Sequence, residues 1–142
     1  MKRLKGVTEK AKLDASVQEL LEGKNFAFLS TVNADGSPHV APTWIDVEEG
    51  YLLINTGLGT VKQRNIKRDP RVTIAITEQT NPYNLAVIRG QVEEQISGSS
   101  ATDRLDKLAK RYMGLDKFPD RKLASNQVTL KIKPIRVFTR KM

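Results

Sequence analysis

Thr60 and Lys62 lie in a stretch, Asn55-Thr56-Gly57-Leu58-Gly59-Thr60-Val61-Lys62-Gln63-Arg64-Asn65, whose residue types suit one kind of chemistry, the capture of an anion. The stretch reads as the end of an apolar strand, a glycine-loosened loop and a short helix stopped by Asp69-Pro70. A threonine at the N-cap accepts from the unpaired N–H groups of the first helical turn. Lys62 then falls in that turn, where the helix dipole already concentrates positive charge and a cation costs about 0.3–1 kcal/mol. Free N–H groups with a lysine beside them suit phosphate. The same residues also make an ordinary surface helix with solvated charges, and spacing alone does not separate the two. The known nucleotide loops do not apply. The glycines lack the Walker spacing and its Gly-Lys-Ser/Thr ending, and the third glycine of a dinucleotide fingerprint is missing.

Other chemistry-bearing residues are few. His39 has no partner acid in any recognisable motif, and Ser30 and Ser37 have no nucleophile-elbow context. Trp44 and Tyr83 each follow a proline closely, where a flat ring can wall a pocket; for Trp44, core packing is the stronger reading.

These residues need elements to hold them. Residues 8–23 carry a helical stripe, Leu13, Val17, Leu20 and Leu21, closed by Gly23. A strand over 25–32 and a return over 37–47 flank Asn33-Ala34-Asp35-Gly36, a hairpin turn because Asp-Gly supplies the positive φ that tight turns need. Two prolines in the return strand, Pro38 and Pro42, place it at an edge, at a bulge or in an interrupted ladder. Further strands are expected over 51–56, 71–77, 84–96 (with Gly90 as a bulge) and 128–138, with a polar loop over 79–83. A second helix follows Ser97-Gly98-Ser99-Ser100, capped by Ser or Thr, with Leu105, Leu108, Ala109 and Tyr112 as its apolar face and Gly114 as its end. Six antiparallel strands at short spacing with a few helices predict a mainly β fold, a small barrel in one domain over 1–142, with an open α+β sheet as the alternative.

Composition narrows the classes. The sequence of 142 residues has no cysteine and one histidine, so a disulfide framework, a thiolate zinc site, a cysteine nucleophile and a multi-histidine metal site are all out of reach. No metal is expected. The basic first residues lead into no apolar segment of signal-peptide type, and no apolar run approaches a membrane span, so a cytoplasmic protein without membrane contact is expected. The net charge of +8 gathers in residues 2–12, 62–71 and 131–141. Such excess attracts nucleic acid, membrane surface or an anionic small molecule alike. An aromatic content of 6% weighs against a nucleic-acid partner.

Several segments occur in order: Phe28-Leu29-Ser30-Thr31, Asp35-Gly36-Ser37-Pro38-His39-Val40-Ala41-Pro42-Thr43-Trp44, Lys62-Gln63-Arg64-Asn65-Ile66-Lys67-Arg68-Asp69-Pro70-Arg71-Val72, Asn81-Pro82-Tyr83 and Val87-Ile88-Arg89-Gly90. The set, over residues 10–138, resembles the pyridoxamine 5′-phosphate oxidase-like, FMN-binding split-barrel family, and within it the flavin/deazaflavin-dependent oxidoreductases. The resemblance implies a homodimer of six-stranded antiparallel split β-barrels with two cofactor clefts at the subunit interface. It implies that Lys62 and Asn65, with N–H groups near Thr60 and Val61, hold the cofactor phosphate. It further implies that Asn55, Thr56, Pro42, Thr43 and Trp44 border the ring system, and that Tyr83 and Asn84 reach the site across the dimer interface. Two positions depart from related sequences, which often carry arginine at 84 and a basic residue at 60. The chain also ends without the Arg-Leu-His substrate motif of true pyridoxamine phosphate oxidases, so that activity is not expected.

The function implied is an oxidoreductase that binds coenzyme F-420 (a deazaflavin) or FMN and transfers hydride to or from a small organic substrate. The absence of a catalytic triad fits this reading, because the cofactor carries the chemistry and no catalytic side chain is assigned. The Asn-Pro-Tyr and Arg89-Gly90 segments favour deazaflavin over FMN. The alternatives are a cofactor carrier or haem-binding split barrel, for which His39 would be the axial ligand, and a basic nucleic-acid-binding domain.

Overall fold

The computed structural model describes residues 9–142. Its elements are α1 (Ala15–Glu22), β1 (Ala27–Val32), β2 (Pro38–Thr43), β3 (Asp46–Glu48), β4 (Tyr51–Gly57), α2 (Val61–Arg68), β5 (Arg71–Glu78), β6 (Asn81–Ser97), α3 (Ser99–Met113), α4 (Arg121–Ala124) and β7 (Gln127–Arg140). The strands form one sheet in the order β2-β1-β5-β6-β7-β4-β3, and every pair is antiparallel. The fold is mainly β with flanking helices.

The sheet has seven strands where six were expected, because the return strand over 37–47 breaks at Trp44-Ile45. Its first half pairs with β1 and its second half with β4. Those halves, β2 and β3, are the two edges of the sheet. Three chain steps from Thr43 to Asp46 span at most about 11 Å. The sheet must therefore curl until its edges nearly meet, leaving an unpaired seam. That is a split barrel, and the prolines explain the seam: Pro38 and Pro42 lie in the edge strand β2, where missing N–H donors are tolerated.

The inner face is filled by branched aliphatics, with Leu29, Ile45, Ile54, Ile74, Ile88, Leu130 and Ile132 fully buried, and α1 adds Val17 and Leu21. Helix α1 starts at Ala15 rather than at residue 8, because the Asp14 carboxylate accepts from the Val17 N–H at 3.0 Å and caps it there. Upstream, Ala11 donates its N–H to the Pro134 carbonyl at 2.7 Å instead of continuing a helix. Thr8 and the basic residues of the 2–12 cluster up to position 8 lie outside the described residues. The Asp35-Gly36 turn forms as expected: Gly36 has φ 86°, and the Asp35 carboxylate accepts from the Ser37 N–H at 3.0 Å.

The polar loop over 79–83 is a correction. Asn81 already pairs with Glu78, so only Gln79 and Thr80 turn, and Pro82 and Tyr83 belong to β6. Proline is accommodated because the register slips there, leaving residues 82–84 outside the regular ladder. Gly90 sits at a second slip, between β6 and β7, as the sequence predicts. A Cβ at Gly90 would lie 2.6 Å from Ile132 Cγ2 and 3.0 Å from the Lys133 carbonyl oxygen. Helix α3 is capped by Gly98 (φ 87°) without a side-chain hydrogen bond, not by Ser or Thr. It ends as expected at Gly114 in the left-handed conformation. Among the described residues no helix is long and apolar enough to cross a membrane.

Candidate functional site

Strand β4 ends at Gly57, and the chain turns through Gly59 (φ 81°) into α2. Thr60 is its N-cap, accepting from the Gln63 N–H at 3.3 Å. The Thr60 hydroxyl also donates to the Gly57 carbonyl at 3.0 Å and lies 2.9 Å from the Thr56 hydroxyl. The cap is thus tied to the strand end. The back of α2 is pinned to the barrel by Asn65, which is buried. Its Nδ2 donates to Thr31 Oγ1 at 3.0 Å and to Asn33 Oδ1 at 2.9 Å, and its Oδ1 accepts from Arg68 at 2.8 Å.

These two anchors fix where Lys62 stands. It is half-buried, and its Nζ has no hydrogen-bond or ion-pair partner among the described residues. Burial pushes its ammonium pKa below the usual 10.5. An unpaired cation in the first turn of a helix, partly out of water, is unfavourable on both counts unless an anion joins it.

A second set of anchors builds the opposite wall. Arg104, Lys107 and Arg111 project from one face of α3 onto Asp46, at 2.7, 3.2 and 2.8 Å. Burial alone would raise the Asp46 carboxyl; hydrogen bonds from Arg111 and the Val47 N–H outweigh it, and its pKa lies below the usual 3.8. One residue on, Tyr112 donates its hydroxyl to the Asn25 carbonyl at 2.7 Å and accepts from the Ile45 N–H at 3.3 Å. Burial pushes its phenol up, so it stays a neutral O–H donor. Trp44 lies flat on the Tyr112 ring, centroids 5.1 Å apart and planes 4° from parallel. Phe118 meets Trp44 edge-on at 6.0 Å.

Between the walls is an open cleft of about 420 Å³ along the seam of the barrel. Its aromatic side is Phe26, Trp44 and Phe118, its floor Leu105 and Leu108, and its polar end Thr56, Thr60 and Lys62. Of the residues expected at a site, Pro42, Thr43, Trp44, Asn55, Thr56, Thr60 and Lys62 line this one cleft. Both N–H groups of the Asn55 amide are already engaged: it donates to the Ala101 carbonyl and to Gln127, and it accepts from Thr129. Val61 is exposed at the start of α2, and Asn65 faces the barrel rather than the cleft.

Tyr83 and Asn84 are not brought to the cleft within this chain. Tyr83 is exposed on β6, and Asn84 donates to Glu78 at 3.2 Å beside a separate small cavity. His39 does not line the cleft either. Its Nδ1 is buried without a hydrogen-bond partner. The three cations on Asp46 went unnoticed in the sequence. Their signal was there, since positions 104, 107 and 111 share one helix face and Asp46 interrupts an apolar strand.

A family model described as pyridoxamine 5′-phosphate oxidase matches residues 13–141. The chain belongs to that family. Among solved structures it is similar to an F-420 reductase, at 30% identity and TM-score 0.75 over 85% of this chain and 94% of that one. It is also similar to the conserved hypothetical protein Rv2991 from Mycobacterium tuberculosis, at 20% identity and TM-score 0.71 over 97% and 90% of the two chains. General Stress Protein 26 from Bacillus anthracis str. Sterne shares the fold at 21% identity and TM-score 0.66, over 88% and 91%. No curated protein matches the chain.

Proposed function

We propose that the protein is an oxidoreductase that holds a flavin-type cofactor, coenzyme F-420 or FMN, in the seam cleft and serves a small organic substrate. The observation that carries this reading is Lys62, half-buried and unpaired among the described residues, at the end of a cleft whose other wall is aromatic. Lys62 and the N–H groups at the start of α2 bind the phosphate, while Thr60 sets the helix start and Asn65 holds the helix from behind. The ring system lies against Phe26, Trp44 and Phe118, with Pro42, Thr43, Asn55 and Thr56 as its border. Bound there, such a cofactor supplies hydride transfer. The chain's own residues orient the ring, neutralise phosphate and keep water from one face. The likeness to an F-420 reductase at 30% identity favours the deazaflavin.

The outer face of the sheet supports a homodimer. Pro42, Phe28, Ala75, Val87 and Phe138 are successive cross-strand neighbours on β2, β1, β5, β6 and β7. Phe28 and Phe138, two large apolar side chains in one such row, are exposed. An apolar stripe across five strands is the kind of surface that a second copy covers. The row begins at Pro42, which also lines the cleft, so the dimer closes the cleft from that side. Tyr83 and Asn84 then enter from the partner.

Titration with the F-420 coenzyme and with FMN, followed by visible absorption, tests the reading. We expect saturable binding of at least one, lost or much weakened in Lys62→Ala. Failure of both to bind, or equal affinity in parent and variant, would refute the cleft assignment.

A further inference from the structure

The two walls of the cleft are anchored by different helices through separate sets of contacts. On the α2 side, Thr60 holds Gly57, and Asn65 holds Thr31 and Asn33. On the α3 side, Arg111 donates to Asp46 Oδ1 at 2.8 Å and to the Ile45 carbonyl at 3.0 Å, while Tyr112 bridges the Asn25 carbonyl and the Ile45 N–H. Ile45 follows Trp44 directly, at the point where the chain crosses from one edge of the sheet to the other. No ladder hydrogen bond fixes the backbone there, because residues 44 and 45 belong to neither β2 nor β3. The Tyr112 hydroxyl takes up the Ile45 N–H that a strand partner would otherwise satisfy. Its ring, fully parallel to Trp44 within 4°, then sets the indole plane.

We propose that Tyr112 is a positioning residue: through Trp44 it sets the ring-binding half of the cleft, independently of the phosphate-binding half at Lys62. Tyr112 is not itself a lining residue. It acts by restricting an indole on a segment that no strand pairs, where Arg111 at the Ile45 carbonyl and Thr43 at the Trp44 carbonyl hold the backbone but not the ring. Selection of flat ligands is therefore controlled from α3, and selection of anionic ligands from α2. This inference rests on the cofactor reading of the cleft.

Trp44 is the one tryptophan in the sequence, so intrinsic fluorescence reports on this wall directly. The test uses the full chain with riboflavin, which carries the ring and no phosphate, and with inorganic phosphate, which carries no ring. In Tyr112→Leu, riboflavin affinity should fall at least tenfold while phosphate affinity stays within twofold. In Tyr112→Phe, which keeps the stack and loses the hydroxyl, riboflavin affinity should fall about threefold and phosphate should again be unaffected. Lys62→Ala should show the reverse pattern. Time-resolved Trp44 anisotropy, without ligand, should gain a fast component in Tyr112→Leu and keep its slow decay in Lys62→Ala. Riboflavin affinity unchanged in Tyr112→Leu, or ring and phosphate affinity falling together with the melting temperature, would overturn the proposal. If the parent binds neither riboflavin, FMN nor the F-420 coenzyme, the cofactor reading fails on its own, and Trp44 anisotropy still decides the positioning role: an unchanged decay in Tyr112→Leu overturns it. Should Tyr112→Leu not fold, Tyr112→Phe carries both arms.

Discussion

Arg111 Nη2 lies 2.8 Å from Asp46 Oδ1, and Arg104 and Lys107 reach the other oxygen of the same carboxylate. The Asp46 side chain is 2% exposed, while the Arg111 and Arg104 side chains are 20% and 17% exposed. One buried charge therefore holds three cations that still reach water. Asp46→Asn would leave Lys107 and Arg111 without a carboxylate and Arg104 with Glu48 alone. Breaking a buried pair in this way costs about 3 kcal/mol, the lower end of the usual range because the guanidiniums can resolvate. Urea unfolding should show that loss. A change under 1 kcal/mol would mean the cluster is ornamental.

The same carboxylate sets an acid limit. The folded protein holds Asp46 below the usual 3.8, and it holds Asp69, hydrogen-bonded by Arg71, down to about 2. A depressed carboxyl contributes stability that is complete above its unfolded pKa and lost as pH falls through its folded one. Melting temperature should thus be flat above about pH 5 and fall from about pH 4 downward. In Asp46→Asn that acid slope should be shallower; an identical slope would shift the cause to other carboxylates. Asp69 adds little, since its partner Arg71 is 77% exposed.

Lys62 has the opposite sign. Its folded pKa is depressed by burial, so the folded state disfavours the charged form, and the cost of Lys62 is present at neutral pH and relieved as pH rises through that folded pKa. Lys62→Met should therefore raise the melting temperature of the ligand-free protein. Lys62→Ala should weaken a phosphate-bearing ligand by roughly 1.5–3 kcal/mol, the scale of a charge-assisted hydrogen bond. A residue that harms the empty protein and helps the loaded one is the pattern of a binding group. Calorimetry with and without FMN checks both halves; a methionine variant that is less stable than the parent would contradict the first.

Much of the fold was legible because its signals are local. Asp35-Gly36 and Thr60 each act within four residues, and both form as read. The break at Trp44-Ile45 was not legible, because it depends on β1 and β4 competing for two halves of one segment from opposite ends of the sheet. Pro82 reads locally as a loop signal, yet the register slip absorbs its missing N–H inside a strand. At the site, Lys62 stood out by being misplaced in its helix. Asn65 shares that helix, yet its inward direction follows only from what α2 packs against, Thr31 and Asn33 on and after β1. Tyr112 was visible as part of an apolar stripe, but its hydroxyl contacts Asn25 and Ile45, far away in sequence.

Gly90 tests the packing at the bulge. A methyl group there meets Ile132 Cγ2 at 2.6 Å and the Lys133 carbonyl oxygen at 3.0 Å, and neither is the end of a flexible chain. Gly90→Ala must push β6 and β7 apart or strain Ile132, which is fully buried. Overpacking of this kind costs about 1–3 kcal/mol. Gly36→Ala is the control for crowding: nothing lies within 4 Å of its added Cβ, although its positive φ makes that change a strain on the turn. Denaturant midpoints should fall in both, with core disruption seen as exposed apolar surface in Gly90→Ala alone. A Gly90→Ala protein as stable as its parent would show that the barrel relaxes at this point.

The outer row supplies the last test. Phe28 and Phe138 are 45% and 55% exposed and flank Ala75 and Val87 in register. Replacing an exposed side chain leaves a folded monomer within about 0.5 kcal/mol of its parent, so Phe28→Lys and Phe138→Lys should not unfold the chain itself. Two copies related by a two-fold axis meet through the same patch, so each lysine enters the interface twice. Light scattering on the parent should give twice the monomer mass, and the paired variant Phe28→Lys/Phe138→Lys should give the monomer mass at micromolar concentration. If Tyr83 and Asn84 complete the partner's cleft, FMN or deazaflavin affinity must fall with the dimer, although neither substitution touches Lys62 or Trp44. A monomeric variant that keeps full cofactor affinity would place the whole site within one chain and remove the role of Tyr83 and Asn84.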